Sequence, residues 1–530
     1  MNHLLLLGDE AIAQGALDAG LSGVYAYPGT PSTEITEYIQ ASPLAQERSV
    51  HSAWSANEKT AVEEALGMSF AGKRALVCMK HVGLNVAADG FINAAMTGVN
   101  GGLIVLVADD PSMHSSQNEQ DSRFYGKFAM IPIFEPSNQQ EAYDMMFEAF
   151  DLSEKFETPV LLRITTRMAH SRSGIVRREV RAENALSLPA DERRFILLPA
   201  IARGRYKRLL QLQDRFAEAS ANSAFNQVIA GTDNQLGIIS CGIAYNYLME
   251  CYGGAPSPHP VVKVSQYPAP VQAIAQLFDT CKKVLVLEEG YPFLEEQIRG
   301  ILPAGPAVSG RLDGTLPRDG ELSPNLVAKA LGISTPALLS VPSLMVNRPP
   351  ALCKGCGHID MYQALNQALE AIGGGKVFGD IGCYTLGALP PFNSLHTCVD
   401  MGASVTMAKG AADAGVHPSV GVIGDSTFTH SGMTGLLDCV LEQTPVTLII
   451  ADNATAAMTG GQHSSAAGIL EKICLGLGVE QEHIKVLKPL PKYLEENREI
   501  LLNELNYRGV SVVIFQRECV QVAARRVRNK

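Results

Sequence analysis

The sequence predicts an α/β protein of doubly wound, largely parallel sheets, divided into about three domains. Short apolar runs without polar alternation recur along the whole chain, the pattern of strands buried on both faces. Helix-forming stretches separate them, and that alternation produces a parallel sheet covered on both sides. The length, 530 residues, exceeds what one hydrophobic core supports.

Taken in order, the first domain spans 1–190. Its strands read at Gly23–Tyr27, Arg74–Cys78, Leu103–Val107 and Pro159–Ile164, and the opening MNHLLLLGDE reads as an additional first strand. That opening run has no basic flank or cleavage site, so it does not read as a signal peptide. Residues 171–230 are rich in Arg, Glu and Ala and show no strand pattern, so 191–234 is expected to be a helical linker over the surface. A second α/β domain, 235–335, carries strands at Leu236–Ser240, Val261–Val264 and Lys283–Leu287. Residues 336–352 hold four prolines and read as a linker. The third domain, 353–530, has strands at Gly421–Ile423, Val446–Ala451 and Val510–Phe515.

Composition removes several function classes. Hydrophobic residues at 46% and charged residues at 18% exclude wholesale disorder. A net charge of −11 argues against a nucleic-acid binder or a membrane-surface protein. The apolar runs are broken well before the roughly 20 residues a transmembrane helix needs. Eleven cysteines without a small-domain framework point to a reducing cytoplasm.

The most informative segment is Gly421-Val-Ile-Gly424-Asp425-Ser426, followed after a helix-like stretch by Val446-Thr-Leu-Ile-Ile-Ala-Asp452-Asn453. In a parallel sheet both loops leave at the C-terminal edge, where doubly wound folds bind ligands. Asp425 and Asn453 then meet despite their 28-position separation. A carboxylate and an amide oxygen suit Mg²⁺ held together with phosphates. Gly424 leaves room for a diphosphate, and the helix after Ser426 aims its N-terminus at the anion. Alone, the same residues are equally an Asp helix cap and an Asn turn.

The runs GDSTFTHSGMTGLLD and DNATAAMTGGQ resemble the α subunits of indolepyruvate:ferredoxin oxidoreductases, the arylpyruvate branch of the 2-oxoacid:ferredoxin oxidoreductases. The resemblance extends to YPGTPSTEI at 27–35, MKHVGLNVAADG at 79–90, DDPSMHSSQNEQDSR at 109–123 and GDIGCYTLG at 379–387, in the family's order. It implies a thiamine diphosphate enzyme fold, with 1–190 as pyrimidine-binding domain, 235–335 as transketolase C-terminal-like domain and 353–530 as diphosphate-binding domain. It further implies that Asp425, Asn453 and the carbonyl of Thr455 ligate Mg²⁺. Gly424 and Ser426 would join them in holding the cofactor, while Met401 and Gly402, within 400–404, flank the thiazolium.

Thiamine diphosphate needs a carboxyl group against its aminopyrimidine, best placed in an apolar setting. Glu58 opens an Ala-rich helix and stands where the family's activating glutamate falls; a helix N-terminal charge is the plain reading. Glu63 and Glu64, deeper in that helix, read as solvated or salt-bridged. Thr30 resembles the threonine facing the 2-oxo acid carboxylate. His81 is either an imidazole at the reaction centre or a packed structural residue. Arg123 is a candidate carboxylate partner, its ordinary reading being a surface-loop arginine. Glu288 and Glu289 are read as scaffold at a domain interface in preference to an acid/base pair.

Cys353 and Cys356 form a CxxC, and with Cys383 and Cys519 they follow the order of the four cluster ligands found in other oxoacid:ferredoxin oxidoreductases. A [4Fe–4S] cluster and plain buried thiols are both compatible with them. The family's α subunit normally continues into a ferredoxin-like domain with two CxxCxxCxxxCP runs, whereas this sequence ends at VAARRVRNK. Electrons would therefore leave through another subunit or through the Cys353 quartet, or the reaction is not oxidative. The resemblance implies oxidative decarboxylation of an arylpyruvate such as indolepyruvate to an acyl-CoA, with ferredoxin as acceptor and a smaller β subunit in a hetero-oligomer or homodimer. The alternatives are a non-oxidative decarboxylase or carboligase, and a non-catalytic subunit that binds the cofactor.

Overall fold

The computed structural model describes residues 3–300, 306–334, 342, 344–345 and 350–528. The chain divides into two compact units, 1–339 and 340–530. Most of the expected linker 336–352 lies outside the described residues.

The first unit holds a seven-stranded sheet and a five-stranded sheet. The larger runs Gln266–Tyr267, Ile133–Phe134, Val160–Thr165, Leu103–Asp109, Ala75–Lys80, Gly23–Ala26, His51–Trp54. All are parallel except the first edge strand. Its central strands are buried at every position except Lys80, which is why they read as unbroken apolar runs. The helix Gln139–Phe156, capped by Asn138, packs Ala142, Met145, Met146, Ala149 and Phe150 against the core at helical spacing. The smaller sheet runs Ala307–Ser309, Lys283–Leu287, Gly237–Cys241, Val261–Val264, Gln227–Ile229, the last antiparallel.

Two expectations for this unit change. The opening strand His3–Leu7 does not join the main sheet but pairs antiparallel with Arg172–Val176. That second strand, and Gln227–Ile229, lie in the stretch expected to have no strands. Both are short and mostly exposed, so no long apolar run marks them. The long helix Pro199–Ala221 lies between them.

The second unit is one six-stranded, wholly parallel sheet: Thr397–Cys398, Lys376–Gly379, Ser419–Gly424, Val446–Asp452, Ser511–Gln516, Ile484–Leu487. One cluster of side chains from Gly357–Ala371 and Leu494–Asn506 covers one face, and a second from Ala403–Asp413 and Met433–Leu441 covers the other. The sheet is thus doubly wound.

Arg123 is not a surface arginine. It is wholly buried, with Nε 2.9 Å from Asp121 Oδ1 and Nη1 3.1 Å from Glu288 Oε2. Arg163, inside a core strand, donates to Asp109 at 2.7 Å, to Glu135 at 2.5 Å and to the Glu289 carbonyl at 3.0 Å. Saturated by protein carboxylates, Arg123 is lost as a substrate partner, and Glu288 takes the scaffold role expected of it. The cause is tertiary: a guanidinium enters a core only against several acceptors, and these come from distant segments. Replacing Arg163 with Met strands Asp109 and Glu135. We expect the urea unfolding of the chain to lose roughly 3–5 kcal/mol, whereas Met at the half-buried surface residue Arg498 stays within about 0.5 kcal/mol.

Candidate functional site

In the second unit, the register pairs Gly424 with Ala451, so the residues that follow each strand emerge together at one sheet edge. Asp425 opens a helical run, Asp425–Thr427, which passes through a π-turn at Phe428–Gly432 into Met433–Leu441. Its carboxyl is 2% exposed, and Oδ2 has no hydrogen-bond partner. Burial pushes the group up to about 7; the Ser464 hydroxyl opposes this, and the neighbouring Asp452 carboxylate adds to it. A buried anionic oxygen without a donor is what a hard divalent cation satisfies. Asn453 Oδ1 accepts the Thr455 amide at 3.0 Å, which leaves the amide oxygen's second lone pair. Thr455 in turn donates its hydroxyl to the Gln462 carbonyl at 2.8 Å, anchoring the short hairpin that follows. These donors fit an oxygen-coordinated cation.

The expected opening over Gly424 differs in kind. A Cβ there would stand 2.7 Å from the Tyr384 ring, so the space belongs to a tyrosine. That ring belongs to a second constellation which reading the motifs missed, centred on Asp380. Asp380 Oδ2 accepts from the amides of Gly402 at 3.0 Å and Ser404 at 3.2 Å and from the Ser404 hydroxyl at 2.6 Å. The Tyr384 hydroxyl donates to the other oxygen. Burial still pushes Asp380 up to about 6. Gly402 sits at φ 95°, and a Cβ there would lie 2.7 Å from Ser431 Cβ, so only glycine fits. Asp380 therefore fixes the loop carrying Met401 and Gly402, whose amide is committed to it. Its signal was present: Gly379-Asp380 ends a strand as Gly424-Asp425 does.

Cys353, Cys356, Cys383 and Cys519 all line one cavity of about 110 Å³, with Asn453 and Arg517 on its wall. Burial pushes the Cys383 thiol up to about 12, the thiols of Cys356, Cys519 and Cys353 adding to it. Among the described residues no three of these sulfurs lie within 4.8 Å of one another. A single tetrahedral Zn²⁺ with Zn–S near 2.3 Å needs sulfurs about 3.8 Å apart.

In the first unit, three neighbouring parallel strands deliver the other candidates to one C-terminal edge. Thr30 follows Gly23–Ala26, Glu58 follows His51–Trp54, and His81 follows Ala75–Lys80. Glu58 is 5% exposed at the start of Glu58–Phe70, behind the cap Asn57. It lies over Gly83: a Cβ there would be 2.6 Å from Glu58 Cγ and Oε1. The glycine of the HVGLN run thus seats the glutamate. His81 is buried, its Nε2 is 3.2 Å from the Asn118 carbonyl, and its Nδ1 has no partner. Glu63 pairs with Lys59 at 2.5 Å and Glu64 accepts from Ser55 at 2.6 Å, as expected of side-facing charges. Lys80, unremarked within its motif, donates to the Ser115 carbonyl at 2.5 Å.

Known proteins share this architecture. Residues 14–196 match the family described as pyruvate flavodoxin/ferredoxin oxidoreductase, thiamine diphosphate-binding, and residues 380–474 match the thiamine pyrophosphate enzyme C-terminal binding domain. The indolepyruvate oxidoreductase subunit IorA of Archaeoglobus fulgidus is 38% identical, over 99% of this chain and 88% of that protein. That of Pyrococcus abyssi is 36% identical, over 98% and 86%. A 2-oxoglutarate:ferredoxin oxidoreductase from Magnetococcus marinus, solved with 2-oxoglutarate, coenzyme A and succinyl-CoA bound, superposes with a TM-score of 0.51 at 16% identity. It covers 62% of this chain and 65% of that one. Among the described residues no helix is long and apolar enough to cross a membrane. For the loop at 400–404, replacing Asp380 with Ala removes the acceptor of two amides. Hydrogen exchange at Gly402 and Ser404 should speed up by roughly 10- to 100-fold, with exchange in the strand Val446–Asp452 unchanged.

Proposed function

The chain belongs to the family of indolepyruvate oxidoreductase IorA subunits, and from that premise we propose that it is the thiamine diphosphate-binding α subunit that oxidatively decarboxylates an arylpyruvate, forming an acyl-CoA and reducing ferredoxin. The observation that carries the reading is the Asp425 carboxylate, buried with one oxygen unpartnered beside the strand end that bears Asn453. Asp425, Asn453 and the Thr455 carbonyl would hold Mg²⁺, with Ser426 against the diphosphate. When bound, thiamine diphosphate supplies the carbon nucleophile for the keto group and the sink for the electrons that CO₂ leaves behind.

The rest falls to the chain's own groups. Glu58, buried over Gly83, holds a proton at a carboxyl oxygen for the aminopyrimidine. Thr30 orients the substrate carboxylate, and His81 lies two residues before the glycine that seats Glu58. Asp380 keeps Met401 and Gly402 in place through the loop it anchors. The four cysteines would hold a [4Fe–4S] cluster, whose chemistry when bound would be one-electron transfer. A smaller β subunit would complete the assembly. Eleven unpaired cysteines support a reducing, cytoplasmic setting.

Two measurements test this. In the assembled complex, with arylpyruvate, coenzyme A and a viologen dye, Glu58→Gln should lower turnover by about 10²- to 10⁴-fold and leave thiamine diphosphate affinity near that of the parent. Unchanged turnover would make the chain a non-catalytic subunit, and free aldehyde without any acceptor would make the reaction non-oxidative. Anaerobically purified chain should contain about four iron and four sulfide, and Cys383→Ala should lose them; iron-free protein with intact thiols rejects the cluster.

A further inference from the structure

A 2-oxo acid brings a carboxylate to its site, and burying that charge requires a cation or strong donors. The arginines at this edge of the first unit's main sheet are already paired, Arg167 with Glu321 at 2.6 Å. Arg123 and Arg163 are fully buried, and their guanidinium groups are taken up by Asp121, Glu288, Asp109 and Glu135. Lys80, the last residue of its strand, is a cation at the sheet edge that also carries Thr30, Glu58 and His81.

Lys80 is half-buried, and its stem passes beneath the turn that carries Thr30: a Cβ on Gly29 would stand 3.2 Å from Lys80 Cβ. Nζ donates to the Ser115 carbonyl at 2.5 Å and to the Ser115 hydroxyl at 3.3 Å, both neutral oxygens. The same hydroxyl reaches the Thr30 carbonyl at 3.4 Å, so one serine links Lys80 to Thr30. Asp110 is the acidic group that faces Lys80. Its oxygens are already engaged by the Ser115 amide at 2.8 Å and the hydroxyls of Ser116 at 2.5 Å and Thr166 at 2.7 Å. Ser115 accepts two of the ammonium's three N–H bonds, and the third is open to an incoming anion. Burial lowers Lys80 to about 8, with Asp110 only partly offsetting it. Such an ammonium gains from a second anion.

Resting on the 2-oxo acid reading above, we infer that Lys80 is the residue that binds the substrate's carboxylate, with Thr30 beside it, and so selects 2-oxo acids over uncharged carbonyl compounds. A phosphate of coenzyme A presents similar anionic chemistry, and the test separates the two.

The test uses the complex loaded with thiamine diphosphate, titrated by calorimetry with an arylpyruvate and with its uncharged amide, for the parent, Lys80→Met and Lys80→Arg. We expect Lys80→Met to weaken arylpyruvate binding by roughly 10- to 100-fold, with affinity for the amide and the KM for coenzyme A unchanged. Lys80→Arg should restore most of the loss. Arylpyruvate affinity of the parent should fall as pH rises through about 8, where Lys80 gives up its proton, while Lys80→Arg stays flat across that range. A purely structural lysine would not move that pH profile. Equal loss for acid and amide, an unchanged acid affinity, or a shift only in the coenzyme A KM overturns the inference. If the parent binds arylpyruvate through Lys80 yet reduces no dye, the functional reading fails while the carboxylate site stands.

Discussion

A parallel sheet delivers the last residue of each strand to the same edge, and in this chain many of those residues are carboxylates. Asp109 ends one strand, Glu288 and Glu289 follow another, and Asp380, Asp425 and Asp452 close three more. Each loses water there, and the burial cost must be met by a cation, by donors or by a proton. In the first unit two buried arginines meet most of it, and Glu288 is still pushed up to about 7. Those arginines also lock the loops after the main sheet to the strand Lys283–Leu287. The same groups that stabilise this unit are thereby withdrawn from ligand binding.

The second unit treats two similar Gly-Asp strand ends in opposite ways. Asp380 collects amide and hydroxyl donors on one oxygen and a tyrosine hydroxyl on the other. It is internally satisfied and acts as an anchor. Asp425, at the next strand's end, keeps one oxygen without a donor. A satisfied carboxylate rigidifies its surroundings, while an unsatisfied one stores a demand that a bound cation can meet. Placing them on adjacent strands holds the loop 400–404 next to the residue with that demand.

Glycines mark the closest approaches. Gly83 gives Glu58 its seat, and Gly402 turns at a positive φ beneath Ser431. In both, a single methyl group would collide with a neighbouring residue, Glu58 over Gly83 and Ser431 over Gly402. The cysteines show a related economy: four thiols from three separate segments share one wall of a cavity at a spacing too open for one zinc ion.

The main strands were readable because their burial on both faces leaves an apolar run that nothing else in the chain imitates. Lys376–Gly379, Ile133–Phe134 and the short exposed strands Arg172–Val176 and Gln227–Ile229 were not, since two to five residues carry no such pattern. Asp425 and Asn453 could be paired in advance because both end strong runs, and parallel neighbours must bring such ends together. Arg123, Asp380 and Lys80 could not be assigned, because their roles depend on partners that no local pattern announces. By itself, then, the sequence determined the alternating strands and helices, the edge at which ligand-binding residues gather and the family likeness, all of which follow from short-range periodicity and motif order. Only the tertiary structure decided which buried charges are already neutralised and which still lack a partner, since electrostatic balance is a sum over neighbours that the chain brings together only when it folds.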